Sequence, residues 1–218
     1  MAWVVERIDI EIEKQSLLRH PFYQMWSEGR RTADHLQGYI KEYFQLVIAV
    51  PEFVRNIQDL TNDSSLETEL AHHFQEESDH IEAWMGFALS MGVSRDELLN
   101  YTPTCKTIEA VRTLIGLTKL SFEEAAAAMY GYEKELPRIS RSKIDGLKKY
   151  YGIENGDATR YFEIHEEADV RHAGLWTNIL KNVSPDMAQS VFKAGFKSLR
   201  AQNELLDSIQ EKYVGQYC

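Results

Sequence analysis

Apolar residues recur every three or four positions along most of the chain, the spacing that stacks side chains on one face of an α-helix. Leu36, Tyr39, Ile40, Tyr43, Phe44 and Val47 form such a stripe, continued by Phe53, Val54 and Ile57. The pattern predicts one long helix over 32–61, kinked at Pro51, which lacks a backbone donor and crowds the preceding turn. Further helices are expected near 3–18, 65–91, 95–101, 105–118, 121–136, 139–151, 155–181 and 185–212. Start signals of the form S-x-x-E stand at Ser64–Glu67, Ser94–Glu97 and Ser121–Glu124, and Ser184 precedes a proline suited to a first helical turn. Stops are expected at Gly92, Pro137 and Gly152. No segment alternates with strand period, and Asn155–Gly156 falls in a polar connection between helices. Alanines 125–128 make a helix face that a neighbour can approach closely. The expectation is an all-α, single-domain bundle of about seven to nine helices spanning residues 1–218.

Composition narrows the function classes. With 218 residues, 44% hydrophobic and 27% charged, the chain can bury one sizeable core in water. A formal net charge of −10 argues against nucleic acid or an anionic membrane as partner, since both attract positive charge. Cys105 and Cys218 make no disulfide framework, so a reducing cytoplasm is the expected location. Acids interrupt the apolar residues of MAWVVERIDIEIEK, unlike a signal peptide, and the longest apolar run, FQLVIAV, is too short to span a bilayer.

Chemistry concentrates in FEIHEEADVRHAGLW, residues 162–176. His165, Asp169 and His172 stand at i, i+4 and i+7 and fall within an arc of about 60° on a helix. Two imidazoles and a carboxylate on one stripe can close on metal, although the row alone reads equally well as a solvated acidic face. A second row, HHFQEESDHIEAW, sets Glu77 three residues and Glu76 four residues before His80. Either pairing stacks a carboxylate on an imidazole, and one of the two glutamates must be a surface acid. Glu-x-x-His is also the spacing of carboxylate-bridged di-metal bundles. The third element is Glu133, in phase with the apolar face of Ala125, Ala126, Met129 and Tyr130. Glu135, about 200° away on the wheel, is expected to face solvent. A glutamate on an apolar face needs a partner, because a lone buried charge is costly. Three helices thus offer mixed nitrogen and oxygen donors, a set suited to iron or manganese.

Longer segments carry a resemblance. HPFYQMWSEGR (20–30), LQGYIKEYF (36–44), HIEAWMGFALSMGV (80–93), YEKELPRISRSKIDGLKKYYG (132–152) and HEEADVRHAGLW (165–176) resemble the CADD-like family. That family belongs to the haem-oxygenase-like di-metal oxidases and is related in fold to PqqC and TenA. The similarity runs from about residue 10 to residue 182; 183–218 reads as one more helix with no matched motif. It implies a haem-oxygenase-like up-and-down bundle and a six-ligand di-metal site at Glu77, His80, Glu133, His165, Asp169 and His172. One departure stands out. CADD-like proteins commonly place the first glutamate seven residues before its histidine, and here position 73 is histidine in a shorter segment. Glu77 is taken as the ligand on its spacing, with Glu76 second and His73 an outside candidate.

The resemblance also implies an activity: 4-aminobenzoate made for folate by oxidative excision of the protein's own tyrosine side chain, a lysine supplying the amino group. The matching positions are Tyr23, Tyr39 and Lys143, and Tyr132 beside Glu133 is another oxidisable ring. Read without the family, Tyr23 and Tyr39 are core tyrosines and Lys143 is a surface lysine. The implied cofactors are iron paired with iron or manganese, O₂ and an external reductant whose donor is unidentified. Oligomeric state stays open, with a homodimer in view because related bundles are often dimeric. The rival readings are a di-metal oxidase of a free small molecule, a metal-free enzyme like PqqC or TenA, and a partner-binding helical module.

Overall fold

Capping chemistry sets several of the helix starts. Ser94 and Ser121 accept from the backbone N–H of Glu97 and Glu124, whose carboxylates bond back to the cap N–H, as their spacing predicts. At the third S-x-x-E signal the cap is instead Asp63, whose carboxylate accepts from Ser65 and Leu66. A further capping box pairs Thr32 with His35, a partner outside the usual Glu/Gln pattern.

The structure, a computed structural model, describes residues 2–154 and 156–215; Asn155 and Cys218 lie outside them. In chain order the helices are α1 (Ala2–Lys14), α2 (Pro21–Ser27), α3 (Ala33–Val47), α4 (Val50–Gln58), α5 (Ser64–Ser90), α6 (Arg95–Leu99), α7 (Cys105–Leu117), α8 (Phe122–Glu133), α9 (Leu136–Tyr151), α10 (Gly156–Leu180) and α11 (Ala188–Ile209). Among the described residues there is no strand, and nine helices have nine or more residues, the upper end of the expected number. No helix among them is long and apolar enough to cross a membrane.

The boundaries differ from the sequence reading at the prolines. The helix expected over 32–61 is not kinked at Pro51; it breaks at Ile48–Ala49, and Pro51 sits in the first turn of α4, where a missing N–H costs nothing. Likewise Pro137 does not stop a helix. The chain breaks after Glu133, and Pro137 lies in the first turn of α9. Ser184–Pro185 begins a turn, with Met187 N–H bonded to Ser184 O at 3.2 Å, so α11 starts only at Ala188. The first helix stops at Lys14, and PFYQMWS, capped by His20, forms α2, a segment to which the sequence pattern assigned no helix. Gly92 and Gly152 end their helices with positive φ, as expected.

The break before α9 also corrects Glu135. It is buried, accepting from Ser16 Oγ and from Leu17 N–H at 3.0 Å, because the wheel drawn through α8 loses its phase where the helix ends. The alanine face of α8 packs against α11 as its small residues allow. A β-carbon at Gly131 would lie 2.9 Å from the Gly195 carbonyl oxygen, and backbone cannot swing aside. Gly131→Ala is therefore expected to destabilise by about 1–3 kcal/mol, read as a lower urea midpoint. An unchanged midpoint would mean that the two helices separate freely.

Candidate metal centre

Three helices aim polar side chains into one dry volume. The inner stripe of α5 runs Leu70, His73, Glu77, His80, Trp84, and that of α10 runs Tyr161, His165, Asp169, His172, Trp176. Each keeps helical period while replacing apolar residues with donors. Glu133, the last residue of α8, completes the set, and every one of these donors is at most 4% exposed.

Glu77 is central. Its Oε1 lies 3.4 Å from His73 Nε2 and 3.7 Å from His172 Nδ1; its Oε2 lies 3.1 Å from His80 Nδ1. His73 Nε2 is 3.2 Å from Glu133 Oε1, and His172 Nδ1 is 3.3 Å from Asp169 Oδ1. The His73 and His172 rings stack at 3.6 Å, and those of His80 and His165 stand 4.4 Å apart. Two groups result that could each hold a metal ion, with donor atoms mutually within 4.8 Å: His73, Glu77, Glu133 and His172, and Glu77, His80 and His165. Glu77 is common to both. All six expected ligands are thus brought together, with Asp169 beside the first group through His172.

Partners around the donors orient them. His165 Nδ1 lies 2.7 Å from the Tyr161 carbonyl; donation there leaves Nε2 free to ligate, the usual arrangement for metal-bound histidine. Trp176 Nε1 donates to Glu133 Oε2. Glu76 is on the rim. It accepts from Arg171 at 2.8 Å and pairs with His172 Nε2 at 3.1 Å, so geometry separates it from Glu77.

The donors shift one another's proton affinities. Burial opposes charge on His73, but Glu133 and Glu77 outweigh it and push the imidazole up to about 10. Glu77 is held well below the carboxylate range by His73 and His80 in spite of burial. Burial, with Glu133 and Glu77 nearby, raises Asp169. Burial and the neighbouring His80 push His165 down to about 3. Both nitrogens of His73, Glu133 Oε1 and Asp169 Oδ2 are buried without an aligned hydrogen bond. Unsatisfied donors and acceptors at such depth are costly, and a cation among them would satisfy the carboxylate oxygens and any deprotonated ring nitrogen facing it.

A second buried group adjoins the first. Lys143, expected at the surface when read alone, is only 3% exposed, and its Nζ donates to Tyr39 Oη. Lys143 Nζ is ringed by Tyr39, Phe162, Tyr43 and Tyr23, with centroids 4.7–5.3 Å away, and burial holds the amine well below the usual lysine range. The hydroxyls of Tyr23 and Tyr39 hydrogen-bond to each other, and Tyr43 bonds Tyr132. Trp84 joins the two regions, 5.7 Å from Tyr39 and 4.7 Å from Tyr161, whose ring is 4.1 Å from His165. Sequence reasoning passed over Tyr43, Trp84, Tyr161 and Trp176, and gave His73 a minor place. The i, i+4 steps His73–Glu77 and Tyr161–His165 were available signals.

A helical bundle with a buried histidine–carboxylate centre is the class these features define. The chain belongs to the TENA/THI-4/PQQC family, whose profile matches residues 9–211 and so runs on through α11. It is 32% identical to the 4-aminobenzoate synthase of Chlamydia muridarum, over 98% of this chain and 93% of that protein. In fold it is similar to a TenA homologue from Pseudomonas syringae (TM-score 0.84, 13% identity, 95% of this chain and 93% of that one). A Shewanella denitrificans domain of unknown function with a haem-oxygenase-like fold is also similar (TM-score 0.72, 18% identity, 99% and 95%).

Proposed function

We propose that this protein is an oxygen-dependent oxidoreductase that forms 4-aminobenzoate from one of its own tyrosine side chains, with Lys143 giving the amino group. Glu77, His80, Glu133, His165, Asp169 and His172 would hold two ions, iron with iron or manganese. Bound there, the ions would supply oxidising equivalents drawn from O₂, with an external reductant supplying the electrons that keep them in the reduced, oxygen-reactive state. The observation that carries the reading is the contact of Lys143 Nζ with Tyr39 Oη inside a closed aromatic box. The family relationship with a 4-aminobenzoate synthase supports it.

The chemistry asks specific things of these residues. To become 4-aminobenzoate, a tyrosine side chain must lose its Cα–Cβ bond, carry Cβ to the carboxylate level and exchange its ring oxygen for nitrogen. Burial lowers the proton affinity of Lys143 and so favours the free amine, the form with a nucleophilic lone pair. Its hydrogen bond sets that nitrogen on the phenol oxygen of Tyr39, and Tyr23 is one hydrogen bond further on. The buried rings of Trp84 and Tyr161 fill the space between box and centre. Tyr132, bonded to Tyr43 and near enough to Glu77 and Asp169 to feel their charge, is an oxidisable ring.

The test is reconstitution of the metal-free chain with Fe(II), with and without Mn(II), followed by reductant and air. The expected result is 4-aminobenzoate at no more than one equivalent per chain, with a mass loss in the peptide holding Tyr23 or Tyr39. Product formed only with an added small molecule, both tyrosines intact, would replace self-consumption by turnover of a free substrate.

A further inference from the structure

We infer that His73 is itself a metal ligand and that it makes the two halves of the centre unequal. The half built from His73, Glu77, Glu133 and His172 takes a first-row divalent ion first, and the half built from Glu77, His80 and His165 fills second. This rests on the metal reading above and adds a ligand and an order of filling to it.

The environment of His73 supports ligation. A core histidine with a structural role normally gives its nitrogens hydrogen-bond partners, because burying them bare is costly. His73 is 2% exposed; its Nδ1 has no hydrogen-bond partner, and its Nε2 has ion-pair contacts that lack hydrogen-bond alignment. Its Nε2 nevertheless lies 3.2 Å from a carboxylate oxygen of α8 and 3.4 Å from one of α5, near both and aligned with neither. The same Glu77 oxygen is 3.7 Å from His172 Nδ1. The stacked rings, 24° apart, hold His73 Nε2 and His172 Nδ1 in near-parallel planes facing one shared oxygen, Glu77 Oε1. Spacings of this kind, too long or too skewed for hydrogen bonds, leave room for an ion between the atoms.

The inequality follows from counting donors. The first half offers two imidazoles and two carboxylates; the second offers two imidazoles and only the shared carboxylate. Extra negative charge in a dry volume attracts a divalent ion strongly, so the first half binds more tightly. Imidazole with carboxylate favours transition ions over magnesium or calcium. Asp169 belongs to neither donor group as the side chains stand, so the second half keeps the fewer fixed ligands.

Co(II) is the probe, because its visible absorption reports ligand type and geometry. Metal-free full-length protein is titrated by absorption and by equilibrium dialysis. Wild type is expected to bind in two steps, the first at least about tenfold tighter. His73→Ala should weaken the first step by no less than the roughly 10- to 100-fold that even outer partners of ligands cost, and change its spectrum. His73→Gln, which keeps bulk and polarity, should do the same if packing is preserved by circular dichroism. His165→Ala should spare the first step and remove the second. Two ions bound by the His73 variants with wild-type affinity would overturn the inference and leave His73 a counter-cation to Glu77 and Glu133. Equal steps in wild type, or His73 variants that lose only the second step, would also overturn it. No Co(II) uptake by wild type would overturn the metal reading itself, a distinct result.

Discussion

Glu77→Gln is expected to lose both ions, whereas Glu76→Gln keeps them. Glu77 is the one carboxylate shared by the two donor groups, its Oε1 turned to His73 and His172 and its Oε2 to His80. An amide keeps the shape but gives up the charge and the capacity to bridge. The loss of affinity should reach at least the order of 100-fold, read as metal per chain after dialysis, and 4-aminobenzoate formation should vanish with it. Glu76 faces Arg171 and the outer nitrogen of His172, so its removal should cost an exposed ion pair and little metal. Uptake retained by Glu77→Gln and lost by Glu76→Gln would reverse the assignment.

Lys143→Met should hold both ions, make no 4-aminobenzoate, and be more stable than the parent protein near neutral pH. The amine is fully buried, and its folded-state value is depressed below that of an unfolded lysine. Between the two values the unfolded chain binds the extra proton, so folding is penalised there, and the penalty is full once pH falls below the folded value. It disappears as pH rises past the ordinary lysine range. The gain from Lys143→Met should accordingly be greatest at low pH and shrink on going from about pH 7 to about pH 10.5. Its size is about 1.4 kcal/mol for each unit of depression, less about 1 kcal/mol for the lost bond to Tyr39. Urea midpoints across that range measure it. A gain independent of pH would show that the amine is charged in its aromatic box, and normal product from the variant would remove Lys143 from the chemistry.

Much of this molecule is legible in one dimension, and the reason is periodicity. A helix fixes the angle of each side chain about its own axis, so the stripes of α3, α5 and α10, the alignment of His165, Asp169 and His172, and the inward aim of Glu133 could all be read from spacing. Capping boxes at Ser94 and Ser121 were equally local, since cap and partner lie three residues apart. What spacing cannot give is the identity of the group across the gap. Glu76 and Glu77 both stack near His80; only the arrival of α8 and α10 on one side makes Glu77 central and leaves Glu76 to Arg171. Lys143 sits in a polar stretch, SRSKIDG, and its burial depends on rings supplied by α2, α3 and α10. The breaks at Ile48–Ala49 and after Glu133 were hidden for the same reason: prolines tolerated in a first turn read as kinks or stops until packing shows where the turn begins. His73, one more histidine in a histidine-rich row, acquires meaning only when Glu133 and His172 close around it. The chain by itself determined which faces point inward; the tertiary structure decided which of those faces meet, because convergence belongs to several helices at once.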